Sequence, residues 1–116
     1  MTTLFILNDP PYGTERSYNG LRLALSLGKR EGEKIRVFLI GDAAGCAKRG
    51  QTTPNGYYNL ESMLKGISAR GGEILVCGSC IDARGISENE LAEGTARGSM
   101  ELLTDWTVAA DRVLVF

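Results

Sequence analysis

Two closely spaced cysteines, Cys77 and Cys80, carry the clearest chemical potential in this sequence. The thiolate is the nucleophilic form of cysteine, so any group that stabilises the thiolate makes the residue more reactive. An apolar strand that ends at Cys77 is predicted to turn at Gly78 and Ser79 into a short helical segment from Cys80 to Arg84. The two sulfur atoms are therefore expected near one strand end, and thiol chemistry is the first hypothesis for this chain.

Cys80 has the setting that favours a reactive thiol. Its predicted place at the amino terminus of a helical turn brings it close to unpaired backbone N–H groups and to the positive end of the helix dipole. Arg84, four residues later, can reach back toward Cys80 and add a positive charge. We therefore predict that the pKa of Cys80 lies below the ~8.5 of a free thiol. The alternative interpretation makes Cys80 a turn residue and Arg84 a solvated charge.

The other cysteines lack this setting. Cys77 ends an apolar strand and is predicted to pack in the interior, although it stays a candidate site residue beside Cys80. Cys46 lies on a predicted short helix and is expected to fill a small space in the core. Three cysteines are an odd number, and with no export signal they argue against a disulfide scaffold.

The chain contains no histidine, which excludes Ser-His-Asp triads, Cys-His dyads and histidine-bound metals. A thioredoxin-like site would need a proline downstream of the CxxC pair, yet the prolines occupy only positions 10, 11 and 54. A zinc site would need a carboxylate beside the three cysteines, and a single CxxC is weak support, so we predict no metal. Neither a dinucleotide-binding glycine pattern nor a phosphate-loop motif occurs, and we predict no cofactor.

Length and charge narrow the function further. The 116 residues are expected to form a single domain, residues 1–116. A net charge of −1 gives no electrostatic basis for binding nucleic acid or an anionic membrane. The amino terminus lacks the features of a signal peptide, and no apolar run approaches the about 20 residues of a membrane span. We expect a cytoplasmic protein.

Apolar runs separated by helical patterns predict the architecture. Strands are expected at residues 3–8, 35–40, 73–77, 92–95 and 112–116. Strands joined through helices make right-handed parallel crossovers, which gives an α/β protein with a three-layer α/β/α sandwich. Ligands bind such sheets at the carboxyl ends of the strands. The loops at Asn8-Asp9, Gly41-Asp42 and Cys77-Gly78 are therefore expected to converge.

Helix boundaries follow from polar capping residues. Thr14, Asp42 and Asn59 are each predicted to begin a helix, and Ser87 with Glu90 matches a capping box. A long loop from Gly50 to Tyr58 precedes the helix at Asn59. On the last helix, five residues are predicted to face inward: Met100, Leu103, Trp106, Thr107 and Ala110.

Short motifs spread over nearly the whole chain carry a family resemblance. The matching stretches are Pro11-Tyr12-Gly13, Leu21-Arg22-Leu23-Ala24, Phe38-Leu39, Asp42-Ala43, Arg49-Gly50-Gln51, Gly56-Tyr57, Cys77-x-x-Cys80-x-Asp82-x-Arg84-Gly85-Ile86-Ser87, Trp106-Thr107 and Ala110-Asp111. With these motifs the chain resembles the DsrE/DsrF-like family, and most closely its YchN-like branch. The resemblance implies a five-stranded parallel sheet of order 4-3-2-1-5 and homo-oligomers that are often hexameric.

The resemblance also implies a function. Sulfur-relay members of the family carry sulfur as a cysteine persulfide between donor and acceptor proteins, and the matching position here is Cys80. The second cysteine, Cys77, is a departure from the relay members that the YchN-like branch shares. We therefore expect a sulfurtransferase-type carrier with sulfur donor and acceptor proteins as partners. Two alternatives stay open: a thiol-disulfide redox protein that uses Cys77 and Cys80, and a non-catalytic oligomeric binding module.

Overall fold

A five-stranded parallel sheet organises the molecule, as a computed structural model of residues 1–116 describes it. The strands are β1 (Thr2–Leu7), β2 (Lys34–Leu39), β3 (Glu73–Cys77), β4 (Thr95–Gly98) and β5 (Arg112–Val115). Their order is β4-β3-β2-β1-β5, and every neighbouring pair is parallel. The predicted fold class and strand order are confirmed.

Helices cover both faces of this sheet. They are α1 (Arg16–Leu27), α2 (Leu60–Ala69), α3 (Gly78–Ala83) and α4 (Met100–Ala109), with 3-10 helices at Gly41–Ala47 and Glu88–Glu90. No helix is both long and apolar enough to cross a membrane.

Alternation along the central strands divides the core into two apolar clusters. Phe5 of β1 and its register partner Val37 of β2 point to the side covered by α1 and α2 and join the larger cluster. Leu4 and Phe38 point the other way, where they pack with Trp106 of α4 in the smaller cluster. The Trp106 ring meets Phe38 edge-on at 6.4 Å between centroids. The nearly continuous apolar strands thus reflect a sheet that is buried on both faces.

Some helix signals act as predicted and others do not. The Asn59 side chain accepts a hydrogen bond from the Ser62 N–H and caps α2, and Ser87 forms its capping box with Glu90. Thr14 caps nothing. Its hydroxyl donates to the Asp9 carboxylate at 3.0 Å, and α1 begins later with no side-chain cap. The contact with Asp9 in the loop after β1 holds the Thr14 hydroxyl away from the end of α1.

The predicted positions of β4 and of the inward face of α4 also need correction. Residues 92–95 do not form the edge strand, because the Ala92 N–H donates to the Ala47 carbonyl and the strand starts only at Thr95. The buried residues of α4 are Leu103 and Trp106, and Ala110, just after the helix, packs against the smaller cluster as predicted. Met100 is exposed, and so is Thr107, whose hydroxyl donates to the Leu103 carbonyl within the helix.

The long loop before α2 is fastened by one buried carboxylate. Glu61 Oε1 accepts hydrogen bonds from the N–H groups of Gly50 and Gln51, both at 2.9 Å, and Lys65 lies 3.4 Å from Oε2. Burial alone would raise the pKa of Glu61, but the hydrogen bonds from Gln51, Lys65 and Gly50 outweigh it and hold the pKa below its usual value. The charged form of Glu61 is therefore the form that stabilises the loop.

Replacing Glu61 with Gln tests whether the charge of Glu61 stabilises the loop. Because the pKa of Glu61 is depressed by folding, its contribution is complete above the pKa of the unfolded chain and is lost as the pH falls through the folded pKa. We expect the variant to lose about 1.5 kcal/mol of unfolding free energy at neutral pH, the lower end of the range for a hydrogen bond to a charged group. Denaturant unfolding should show this difference shrinking at acid pH. An equal loss at all pH values would contradict the role assigned to the charge.

Candidate functional site

The site begins where β3 passes into α3 without an intervening loop. Cys77 is the last residue of β3, and Gly78 is the first of α3. The helix thus starts earlier than predicted, and Cys80 is its third residue, still within the first turn. A Cβ atom at position 78 would lie 2.7 Å from Nε of Arg97, so a larger residue there would have to displace the Arg97 guanidinium.

Cys77 and Cys80 are joined by a disulfide, with 5.2 Å between their Cα atoms. The bond closes a loop of so few residues that it constrains the unfolded chain little. It is therefore not the stabilising disulfide scaffold that the odd number of cysteines argues against. Cys77 is only 8% exposed and packs in the smaller cluster, whereas Cys80 is half-buried and contacts both clusters. The nucleophilic form of this pair is its reduced form.

Each sulfur atom has one polar neighbour. The backbone N–H of Gly41, just after β2, donates to Cys80 Sγ at 3.2 Å. Ser79 Oγ lies 3.4 Å from Cys77 Sγ, and because a disulfide sulfur carries no proton, the hydroxyl is the donor. Gly41 has φ of 59°, a left-handed conformation that glycine adopts without strain. The carboxyl ends of β2 and β3 therefore meet at Cys80, as predicted.

Arg84 reaches back to Cys80, but to its backbone. Nη1 donates to the Cys80 carbonyl oxygen at 3.1 Å, and Nη2 pairs with Asp42 at 2.7 Å. The predicted contact between the guanidinium and the thiol is not formed. Asp42 also departs from prediction, because the 3-10 helix that contains it has no side-chain cap. Its carboxylate instead fastens α3 to that 3-10 helix through Arg84.

A second ion pair fastens α3 to β4. Both guanidinium Nη atoms of Arg97 donate to the Asp82 carboxylate, at 2.9 and 2.8 Å. These hydrogen bonds lower the pKa of Asp82. No local signal in the sequence connects these two residues, because only the parallel pairing of β3 with β4 brings Arg97 over the start of α3.

A cavity of about 310 Å³ opens on the α4 side of the pair. It is lined by Phe38, Cys77, Gly78, Ser79, Arg97, Gly98, Ser99 and Met100. The sequence did not predict it. A second cavity, of about 210 Å³, lies between the ends of α1 and α2 and has no cysteine in its wall. The first cavity is the one that concerns the sulfur atoms.

Cys46 and Asp9 lie away from the disulfide and serve the structure. Cys46 is fully buried, as predicted, and burial raises the pKa of its thiol to about 12. Asp9 accepts hydrogen bonds from Thr14 and lies 3.8 Å from Arg16, so it serves the loop after β1. No group of three or more cysteine, aspartate or glutamate side chains is placed to hold a metal ion.

Two charge-removing variants separate electrostatics from positioning at Cys80. If the nearby charges act directly on the pKa of the reduced thiol, Arg84→Gln should slow alkylation of Cys80 near neutral pH and Asp42→Asn should speed it. Each change should be about twofold, since exposed charges act at this scale. If the ion pair acts by holding α3 against Gly41, both variants should slow alkylation, because each breaks the same contact.

From the geometry we expect the second pattern. Peptide mass analysis of iodoacetamide-treated, reduced protein reads the rate at Cys80 alone. Lys29→Gln, a charge removal on the exposed surface beyond α1, is the control and should leave the rate unchanged. Opposite effects of Arg84→Gln and Asp42→Asn would show that direct electrostatics dominates.

Comparison with known proteins agrees with this geometry. The model of the DsrE/DsrF-like family matches residues 1–116. Protein YchN of Escherichia coli K12 is 39% identical over 97% of both chains, and an uncharacterized protein of Methanopyrus kandleri is 37% identical over 96% of this chain and 90% of its own. The crystal structure of the E. coli YchN protein superposes with a TM-score of 0.90 at 38% identity, covering all of both chains. The chain belongs to the DsrE/DsrF-like family.

Proposed function

We propose that this protein is a sulfur carrier that holds sulfur as a persulfide on Cys80. Sulfur relay is the activity associated with the DsrE/DsrF-like family as a whole. The observation that carries the proposal to Cys80 is its half-buried position in the first turn of α3, with the Gly41 N–H aimed at its sulfur atom. A group placed in this way meets an incoming donor and has a fixed dipole to stabilise negative charge.

Loading is a thiol exchange in which atoms balance. The reduced Cys80 thiolate attacks the outer sulfur of a donor persulfide, forms the new S–S bond and releases the donor cysteine as a thiolate. The product on this chain is a persulfide, which is again an anion at neutral pH. The Gly41 N–H can donate to the attacking sulfur throughout, so the step needs no histidine as a base.

Exposure supports Cys80 over Cys77 as the residue that meets a donor protein. Cys77 Sγ belongs to a residue only 8% exposed, under α4 and against Phe38. Cys80 lies at the sheet edge, between the 3-10 helix and β3, and is half-buried, so a persulfide carried on another protein has better access to Cys80 than to Cys77.

A thiol-disulfide redox function is the second candidate, and the observed disulfide favours it. Such a protein exchanges electrons with a dithiol partner and needs both cysteines. A carrier needs only Cys80 to accept sulfur. The two functions therefore differ in what happens when Cys77 is removed.

Sulfur loading of cysteine variants is the decisive experiment. The reduced protein is incubated with a cysteine desulfurase and cysteine, and intact mass reports bound sulfur. We expect Cys77→Ser, and at early times wild type and Cys46→Ala, to gain a sulfur atom, and Cys80→Ser to gain none at any time. Loading on Cys80→Ser, or a persulfide located on Cys77 by peptide mass, would show that the assignment is wrong.

We also propose that the chain forms a homo-oligomer, a hexamer by the family resemblance. Its last third exposes apolar side chains that a monomer would leave in water: Met100, Val108, Val113 and Val115. Val113 and Val115 share one face of β5, beside Leu4 and Ile6 in the register. β5 is an edge strand, so its outer backbone groups have no partner in the sheet.

Multi-angle light scattering tests this at micromolar concentration. We expect a mass several times that of the 12.5 kDa chain, and a smaller assembly for the double variant Val113→Glu, Val115→Glu. Lys29→Glu introduces the same side chain away from β5 and should leave the mass unchanged. A monomer mass for wild type would contradict the proposal.

A further inference from the structure

Cys77 is a buried nucleophile whose sulfur atom can reach one other reactive group, the sulfur of Cys80. Its residue is 8% exposed, so neither a donor nor an acceptor protein can approach it directly. The observed disulfide shows that the two sulfur atoms meet without any rearrangement of β3 or α3. Sulfur loading on Cys80 leaves this second cysteine without a role, and its placement suggests one.

We propose that Cys77 discharges the persulfide of Cys80 as hydrosulfide, so that the protein releases free sulfide as well as carrying sulfur. The inference rests on the proposed persulfide at Cys80 and extends it. It adds an activity, an intramolecular thiol exchange, and it makes the observed disulfide the product of one turnover.

The step balances in atoms and electrons. The Cys77 thiolate attacks Cys80 Sγ, the inner sulfur of the persulfide, and the Cys77–Cys80 bond forms as the bond to the outer sulfur breaks. The outer sulfur leaves with the electron pair and takes up the proton that the Cys77 thiol lost on becoming a thiolate, so the product is hydrosulfide. The two cysteines are oxidised to the disulfide and the carried sulfur is reduced to sulfide. An external dithiol then returns the pair to its reduced state by supplying two electrons.

The surroundings of Cys77 fit this role. Ser79 Oγ, 3.4 Å from Cys77 Sγ, is placed to donate a hydrogen bond to the attacking thiolate. In an in-line displacement the leaving sulfur departs on the side of Cys80 Sγ opposite to Cys77. Cys80 is half-buried, so the hydrosulfide is released from a residue that solvent reaches. Ser79 is a positioning residue, and Cys77 is the catalytic one.

The reverse reaction must also occur. Hydrosulfide in excess should open the disulfide by attack on Cys80 Sγ, leaving a persulfide there and a thiolate on Cys77. At low sulfide concentration the discharge direction is favoured, because the tethered thiol reacts at a high effective concentration while released sulfide is diluted. One exchange thus connects the carrier and the disulfide forms.

The first test follows sulfur after loading. Wild type, Cys77→Ser and Cys46→Ala are loaded with inorganic polysulfide, which bypasses any donor protein, and the excess is removed. We expect wild type and Cys46→Ala to release one sulfide per bound sulfur as the disulfide forms, and Cys77→Ser to keep its persulfide at least about a hundredfold longer, given the advantage of oriented intramolecular groups. A sulfide-specific probe and intact mass read the two products. Equal lifetimes in wild type and Cys77→Ser would overturn the proposal.

Ser79→Ala tests the positioning role. It should slow discharge and shift the pH dependence of the rate to higher pH, because the Cys77 thiolate loses its donor. A slower rate with an unchanged pH profile would mean that Ser79 acts only through the structure of the turn.

The second test uses oxidised wild type, so it depends on neither a variant nor a donor protein. Sodium sulfide is added, free thiols are alkylated, and tandem mass analysis locates the products. We expect a persulfide on Cys80 and an alkylated thiol on Cys77. A disulfide that opens with dithiothreitol but takes up no sulfur from sulfide, or a persulfide on Cys77, would overturn the inference. Failure to load from a desulfurase in the earlier experiment, with sulfide uptake intact here, would count against the carrier function alone.

Discussion

The direct passage of β3 into α3 is the constraint on which the site depends. No loop residue separates Cys77 from Gly78. The side chain at the last strand position therefore lies next to one in the first helical turn. Two ion pairs keep α3 in this position: Arg97 fastens it to β4, and Arg84 fastens it to the 3-10 helix after β2. Exposed ion pairs contribute little stability singly, but these two act on opposite sides of one short helix and fix its direction.

The unequal cover of the two sheet faces explains the difference between the cysteines. α1 and α2 close one face, while α4 alone covers the other and leaves the cavity beside Cys77. Cys77 points to the α4 side, so it is buried from macromolecules yet lies next to a space that a small anion can occupy. Cys80 contacts both clusters at the sheet edge and faces outward. A strand end and a helix turn thus give one protected sulfur and one accessible sulfur in bonding reach.

Local signals in the sequence predicted the parts of the fold that local physics decides. Apolar runs predicted β1, β2, β3 and β5, because a strand between two helical layers needs apolar residues on both faces. Asn59 predicted the start of α2, because a helix end needs a side chain that accepts hydrogen bonds from its free N–H groups. Thr14 shows the limit of that reasoning, since a competing partner at Asp9 removed its hydroxyl from the helix end. Met100 shows another: only the packing of α4 decides how wide its buried face is.

The candidate site was predicted in part, for a related reason. Cys80 and its helical turn follow from adjacent residues, and so does the return of Arg84 toward it. The partners that decide what Arg84 does are Asp42, 42 residues away, and the Cys80 carbonyl, and no spacing rule selects them. The pair between Asp82 and Arg97 was missed altogether, because it exists only once β3 and β4 lie in register.

The three cysteines differ in how their surroundings treat a negative charge on sulfur. Burial raises the pKa of Cys46 to about 12 and outweighs the hydrogen bond with Ser17 that lowers it, so this thiol stays protonated and unreactive at neutral pH. Cys80 is half-buried too, but the Gly41 N–H points at its sulfur, and a backbone dipole donates at every pH because it does not titrate. In the proposed carrier this fixed donor takes the place of a titrating base, so the protonation state of Cys80 itself governs sulfur loading. Gly41 can aim its N–H at the sulfur because glycine adopts this left-handed φ without strain.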